Sequence, residues 1–102
     1  MGGDYPDVDL WDVELLLSAR RQLRELLGPE RQETLDILID LAENPFLAGA
    51  ERLRNYNNRY KIRFGRGERY RLIYDVHPAS RRVLIDAIEL RGPDTYRGMD
   101  RW

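Results

Sequence analysis

The stretch from Asn58 to Asp75, NRYKIRFGRGERYRLIYD, alternates cationic side chains with apolar and aromatic ones. In a β-strand, alternate residues point to opposite faces of the sheet. Lys61, Arg63 and Arg71 are therefore expected to share one face, while the residues between them are buried on the other. Arginine makes forked, planar contacts with phosphate or carboxylate groups, so this ribbon predicts an anion-binding surface.

Length and composition restrict the kinds of protein that this chain can be. Its 102 residues fit one domain, expected over residues 10–96 between a flexible tail at 1–9 and a tail at 97–102. The absence of cysteine excludes disulfides and zinc–thiolate sites. No apolar run is long enough for a membrane span or a signal peptide. We therefore expect a cytoplasmic protein with no metal or other cofactor.

The net charge of −1 conceals an uneven distribution along the chain. Residues 1–17 carry five acidic side chains and no basic one, whereas residues 51–76 carry eight basic and three acidic ones. The two local charges are therefore −5 and +5. A local positive field attracts phosphates whatever the total charge is. All the cations except Lys61 are arginines.

The first half of the chain predicts one strand and two helices. The segment LWDVELLL, residues 10–17, alternates apolar and acidic residues and predicts a strand. Ser18 is expected to cap a first helix that Gly28 ends, and Pro29 suits the first turn of a second helix. That second helix is predicted over residues 29–43. Its apolar stripe is expected at Leu35, Leu38, Ile39 and Ala42.

Alternation of apolar and polar residues resumes near residue 59 and predicts three more strands, at about 59–64, 69–76 and 82–90. Residues 46–57 are predicted as a connection, and GRGE and HPASR have hairpin length. These elements predict an α+β fold, in which two N-terminal helices pack on one face of a small, largely antiparallel sheet of about four strands. The other face is expected to be open to solvent. Three aromatic residues on the helix side are expected in the core rather than in base stacking: Tyr60, Tyr70 and Tyr74.

Five segments occur in order between about Trp11 and Tyr96: LLLSARRQLRELL, LAENPF, LRNYNNRYKIRFG, YRLIYDV and VLIDAIELR, followed by a tyrosine. Their order and spacing resemble the RelE/ParE superfamily of bacterial toxins from type II toxin–antitoxin modules. That superfamily contains RelE-like ribosome-dependent mRNA endonucleases and ParE-like inhibitors of DNA gyrase. The resemblance implies a cognate antitoxin as one partner. The second partner is either the ribosome with its mRNA or DNA gyrase.

In the RelE-like branch, the site consists of cations on two strands, an arginine at the end of the last strand and a tyrosine near the C-terminus. The resemblance therefore implies a catalytic set in this chain: Lys61, Arg63, Arg71, Arg91 and Tyr96. Arg63 stands where nuclease members often have lysine. Three further arginines of the same ribbon are expected to bind RNA: Arg59, Arg66 and Arg69.

RNA cleavage by a ribose 2′-oxygen requires a base, stabilisation of the charged phosphorane and a proton for the leaving 5′-oxygen. Lysine can act as a base after losing its proton, whereas arginine effectively cannot. We therefore expect Lys61 to be the base, alone or through ribosomal RNA, with Arg63 and Arg71 on the phosphate. Arg91 would stabilise the leaving oxygen, and Tyr96 would stack on or orient a nucleotide.

Other interpretations remain open at the level of sequence. The chain could be a ParE-like gyrase inhibitor with no catalytic activity, or a degenerate member that only binds an antitoxin. Cations on a strand could also be ordinary solvated charge or protection of a sheet edge. His77 is expected to be a loop histidine, since a lone histidine among scattered acidic residues predicts no metal site.

Overall fold

One five-stranded sheet and two helices make up the computed structural model, which describes residues 9–91. The strands are β1 (Asp12–Leu15), β2 (Glu51–Arg52), β3 (Arg59–Phe64), β4 (Tyr70–His77) and β5 (Arg82–Leu90); the helices are α1 (Leu17–Glu25) and α2 (Gly28–Glu43). The order across the sheet is β1-β5-β4-β3-β2. Only the β1–β5 pair is parallel. The predicted α+β class with a largely antiparallel sheet is confirmed.

The sheet has five strands rather than about four, because the short strand β2 precedes the three long strands β3, β4 and β5. β2 has two residues, and it pairs Glu51 with Lys61 and Arg52 with Tyr60. Two residues are too few to show an alternating pattern, which explains why the sequence predicted only a connection here. In the described part of the chain, no helix is long and apolar enough to cross a membrane.

The first helix begins and ends earlier than its sequence signals predicted. α1 starts at Leu17 with Leu16 as its N-cap, so the prediction of Ser18 as the cap is wrong. The Ser18 hydroxyl instead donates a hydrogen bond to the carbonyl oxygen of Asp86, at 2.9 Å. Gly28 does not end α1 either, because it is the first residue of α2. Pro29 does lie in the first turn of that helix, as predicted.

The second helix has the predicted extent, but its buried face is rotated by about one residue. Thr34 and Leu41 are fully buried and Ile37 and Leu38 are partly buried, whereas Ile39 is 60% exposed. The predicted stripe therefore had the wrong phase. Thr34 is accepted in the core because its hydroxyl donates to the Glu30 carbonyl at 2.8 Å, which satisfies the buried oxygen.

The main core lies between the helices and one face of the sheet. Ala19 and Leu41 pack there against side chains from three strands, among them Ile62, Leu72 and Ile85. The predicted burial of this face is confirmed. Two aromatic residues of the ribbon lie fully within this core with less than 4% exposure: Phe64 and Tyr74. The Tyr74 hydroxyl donates to the Pro45 carbonyl at 2.7 Å, and this bond ties the connection after α2 to the sheet.

The opposite face of the sheet is partly covered, which corrects the expectation that it is open. Leu53 and Tyr56, in the connection between β2 and β3, pack over Ile73 and Ala87 to form a second, smaller cluster. We call this surface the charged face and define it by eight of its ionisable side chains, of which Asp86 reaches the face from a bulge in β5 and the others through the strand register: Glu51, Arg59, Lys61, Arg63, Arg71, Asp75, Asp86 and Glu89.

The turn between β3 and β4 depends on a glycine. Gly65 has φ 84° and ψ 174°, a conformation that is essentially restricted to glycine. A Cβ atom on Gly65 would also lie 2.8 Å from Cδ2 of Tyr70. Gly49 also has a positive φ, of 91°, but a Cβ there would have no neighbour within 4 Å.

We therefore predict that Gly65→Ala lowers the free energy of unfolding by about 1–3 kcal/mol through the backbone alone, with a further loss from the contact with Tyr70. Gly49→Ala is the matched control and should lose less, because it has no such contact. Urea unfolding of the two variants measures the difference. Equal losses would show that the Tyr70 contact does not contribute.

Candidate functional site

The charged face arranges its side chains in rows that cross the strands. At the turn end, Arg63 of β3 pairs with Arg71 of β4, which pairs in turn with Glu89 of β5. One row further along, Glu51 of β2 lies opposite Lys61. The structure therefore brings together the cations that the sequence placed on one face.

Glu51 is a residue of this site that the sequence analysis missed. Its Oε1 atom lies 3.6 Å from Nζ of Lys61 and 3.8 Å from an Nη atom of Arg63. The Glu51 side chain is 55% exposed, whereas that of Lys61 is only 16% exposed. A carboxylate thus lies at the solvent side of both cations, where it can accept a proton or compete with an anionic ligand. Only the pairing of β2 with β3 reveals this contact.

Arg71 lies on the predicted face, but it is buried and already paired. Its side chain is 2% exposed, and Nε donates to Oε1 of Glu89 at 3.1 Å. A buried cation is stable only with a partner, so the loss of either residue leaves an uncompensated charge. Substitution of Arg71 would therefore change stability as well as any activity. Arg63 and Arg91 are better positions at which to test phosphate binding.

Arg91 lies beside the turn that joins β3 and β4. Its guanidinium donates from Nη1 to the Glu68 carbonyl at 3.0 Å, and its backbone N–H donates to the Arg69 carbonyl. Arg66 and Arg69 are exposed in the same turn. The turn end of the sheet thus gathers an arginine of β3, the arginine that follows β5 and two arginines of the turn. The catalytic roles given to these residues stay predictions.

Arg59 lies at the other end of the charged face and is held by two carboxyl groups. It donates to both oxygens of Asp75, at 2.7 and 3.2 Å, and its Nε lies 3.5 Å from Oδ2 of Asp86. β5 bulges at Asp86, since Ile73 pairs with Ala87 and Tyr74 with Ile85. These contacts favour a structural role for Arg59. Its predicted contact with RNA stays a prediction.

The pKa values of the Asp75 and Asp86 carboxyl groups are shifted in opposite directions. Burial, together with a hydrogen bond to Asp75 and the charge of that residue, raises the pKa of Asp86 to about 7. Asp75 is also partly buried, but its hydrogen bonds to Arg59 and Asp86 outweigh burial and lower its pKa. The proton of this pair therefore resides on Asp86, while Asp75 is ionised. Oδ2 of Asp86 is buried with no hydrogen-bond donor among the described residues.

The sequence analysis also made predictions about Tyr96, about His77 and about metal binding. Tyr96 lies outside the described residues, so the structure gives its role no test. His77, at the end of β4, has its Nδ1 atom 3.3 Å from the side-chain nitrogen of Asn58. Residues 9–91 contain no group of three or more histidine or acidic side chains that could hold a metal ion.

Solved structures of toxins have the same fold as this chain. The isolated RelE toxin of E. coli matches with a TM-score of 0.70 at 22% identity, covering 89% of this chain and 97% of its own. The RelBE2 toxin–antitoxin complex of Mycobacterium tuberculosis matches at 0.67 and 25% identity, covering 80% and 99%. The YoeB/ParE toxin of Agrobacterium tumefaciens matches at 0.67 and 15%, covering 79% and 99%. No family model and no curated protein sequence matches.

The raised pKa of Asp86 predicts a pH-dependent stability. Between about pH 4 and pH 7 the folded protein keeps a proton on Asp86 that the unfolded chain has released, so this group makes folding less favourable as pH rises. Asn cannot ionise. We expect Asp86→Asn to raise the melting temperature relative to the parent by more at pH 8 than at pH 5. Asp40→Asn, on the exposed side of α2, is the control. An equal effect of Asp86→Asn at both pH values would contradict the shift.

Proposed function

This chain has the fold of the RelE/ParE superfamily of toxins, and from that premise we propose that it is the toxin of a type II toxin–antitoxin module. Within the superfamily, we propose a RelE-like endoribonuclease that cleaves mRNA on the ribosome. Fold alone does not determine activity, so the proposal depends on the side chains of the site.

One observation carries the choice of an RNA-cleaving activity. Lys61 and Arg63, on one strand, share the carboxylate of Glu51, and the turn arginines and Arg91, which follows β5, lie at the same end of the sheet. The site thus combines a group that can accept a proton with several forked donors for a phosphate. Cleavage by a ribose 2′-oxygen needs both functions, whereas binding of a protein target needs no proton acceptor.

The first step is removal of the proton from the 2′-hydroxyl, and Lys61 and Glu51 offer two routes. In one, Lys61 passes a proton to Glu51 and the resulting neutral amine accepts the 2′-proton. In the other, the Glu51 carboxylate accepts that proton directly. Either route leaves a 2′-oxygen nucleophile that attacks the adjacent phosphorus, with departure of the 5′-oxygen. We retain Lys61 as the proposed base and treat Glu51 as its proton acceptor.

The later steps use the arginines. Arg63 would bind the non-bridging oxygens of the phosphate, whose negative charge grows in the phosphorane. Arg71 lies beside Arg63 in the same row, is held by Glu89 of the next strand and would complete the positive field there. Arg91 would stabilise the leaving 5′-oxygen, and the proton carried by the base would return to it. Tyr96 is proposed to stack on a nucleotide beside the cleaved bond.

The proposal includes two kinds of partner. The M. tuberculosis match is a complex of a toxin with its antitoxin, so we propose that a cognate antitoxin also holds this chain inactive. The catalytic partner would be a ribosome with mRNA in its A site, which implies a cytoplasmic location. RNA binding at the turn end would involve the exposed arginines Arg66 and Arg69.

A gyrase inhibitor is the second candidate, and one observation favours it. The cations of the charged face already have partners in Glu51, Asp75 and Glu89, so they are stable without any phosphate. A surface that only binds a protein could be built in the same way. A degenerate member that binds an antitoxin alone would also retain these ion pairs.

Two single substitutions separate the routes of proton transfer. If Lys61 is the base, Lys61→Arg should lower the single-turnover cleavage rate by about 10²-fold or more, because guanidinium stays protonated. If Glu51 accepts the proton directly, Glu51→Gln should lose the rate while Lys61→Arg retains most of it.

The assay uses purified ribosomes programmed with mRNA, and Glu43→Gln, an exposed acid at the end of α2, is the control for the loss of one negative charge. Parent activity in both Lys61→Arg and Glu51→Gln would remove both residues from the base role. DNA supercoiling by purified gyrase should be unaffected by the parent protein.

A further inference from the structure

The orientation of α1 is fixed by contacts on two sides of the helix. Ala19 is fully buried and lies in the main core, with Leu23 packed beside it. Ser18 and Gln22 face the edge of β5 beyond its pairing with β1. The Ser18 hydroxyl donates to the Asp86 carbonyl at 2.9 Å, and the Gln22 side chain accepts from the Ile88 N–H at 2.6 Å. These contacts leave only one side of the helix for solvent.

That solvent side carries three exposed arginines: Arg20, Arg21 and Arg24. None of the ion pairs found within residues 9–91 involves any of them. Arg21 and Arg24 line a shallow depression of about 200 Å³ together with Glu25, the only acidic residue of the helix. Arg31, at the start of α2, donates from Nη1 to the Leu23 carbonyl at 2.7 Å and ties the end of α1 in place.

The α1 arginines differ in this respect from the cations of the charged face. Lys61 and Arg63 share Glu51, Arg71 has Glu89, and Arg59 has Asp75. On α1 the guanidinium groups have no carboxylate within ion-pair distance in the described structure. Their positive charge is therefore available to an external anion without first displacing an internal one.

We propose that α1 is a second RNA-binding surface, which contacts the phosphate backbone of a double-stranded RNA segment. Arginine binds phosphate through paired donors, and residues spaced three or four apart lie on one side of a helix. Double-stranded RNA is recognised largely through its backbone rather than its bases, which suits a row of arginines on a rigid helix. The choice of RNA rests on the proposed function, in which the target is ribosomal.

Two features favour RNA over an acidic protein segment. The exposed apolar residues near α1 flank the arginines at opposite ends instead of forming a patch between them: Leu16 and Leu17 at its start and Leu27 beyond its end. A protein interface would be expected to centre on buried apolar anchors. Four exposed acids along α2 would also repel RNA and restrict its approach to the α1 side: Glu33, Asp36, Asp40 and Glu43.

The test is equilibrium binding of a labelled RNA duplex of about 16 base pairs, followed by fluorescence anisotropy over a range of salt concentrations. The triple variant Arg20→Gln/Arg21→Gln/Arg24→Gln should bind at least about 10-fold more weakly than the parent at ~0.1 M salt. The slope of the logarithm of the binding constant against the logarithm of salt concentration is negative, and its magnitude should decrease by about 0.9 for each phosphate contact removed. Glu25→Gln should strengthen binding, because it removes the one negative charge beside the depression.

Arg54→Gln is the matched control, since Arg54 is exposed just after β2, at the opposite edge of the sheet from α1. It should retain the parent affinity and slope. If the triple variant is unstable, Arg21→Gln and Arg24→Gln measured singly should each lower the slope.

The proposal is overturned if the parent does not bind the duplex, or if the folded α1 variants bind it with the parent slope. Loss of poly-L-glutamate binding with unchanged duplex binding would instead assign α1 to an acidic protein partner. The assay measures binding without ribosomes, so a chain that binds duplex through α1 but cleaves no mRNA would fail only the proposed function.

Discussion

Pairing of cations with carboxylates across neighbouring strands is the interaction on which the charged face depends. Arg71 is almost completely buried, and Lys61 is mostly buried, yet each has a carboxylate from the next strand within 4 Å. Without Glu51 and Glu89, like charges on adjacent strands would repel one another and a buried guanidinium would lack a partner. The register of the sheet therefore determines which charges are compensated. It also determines which cations an external phosphate can reach.

The same register connects stability to the proposed chemistry. The carboxylate that stabilises Lys61 and Arg63 is the group best placed to exchange protons with Lys61, and it lies toward solvent. A phosphate that enters this row must share the cations with Glu51 or displace it. Arg71, by contrast, is buried and held by Glu89 of the neighbouring strand. Its positive charge can act on the site without direct contact with the ligand. The site thus separates a structural cation from those that contact the ligand.

The sequence predicted the three long strands and the burial of their helix-facing side because β3, β4 and β5 show clear alternation. It could not predict β2, since two residues carry no period, and it therefore missed Glu51.

The apolar stripe of α2 was predicted one residue out of phase. Its apolar residues cover so much of the helix surface that several phases fit: Leu35, Ile37, Leu38, Ile39 and Leu41. The sequence analysis also did not predict the burial of Arg71, because alternation gives the face of a residue but not how exposed its side chain is there. The bulge that turns Asp86 toward Arg59 depends on pairing between β4 and β5.

The central claim is that this chain cleaves RNA, and primer extension on mRNA from cells that express it tests the claim most directly. The account predicts new 5′ ends within codons of translated messages in cells that express the parent. These ends should be lost with Arg91→Ala, which removes the proposed contact with the leaving oxygen. Growth arrest with intact messages, together with inhibition of supercoiling by purified gyrase, would contradict the account and assign the chain to the ParE-like class.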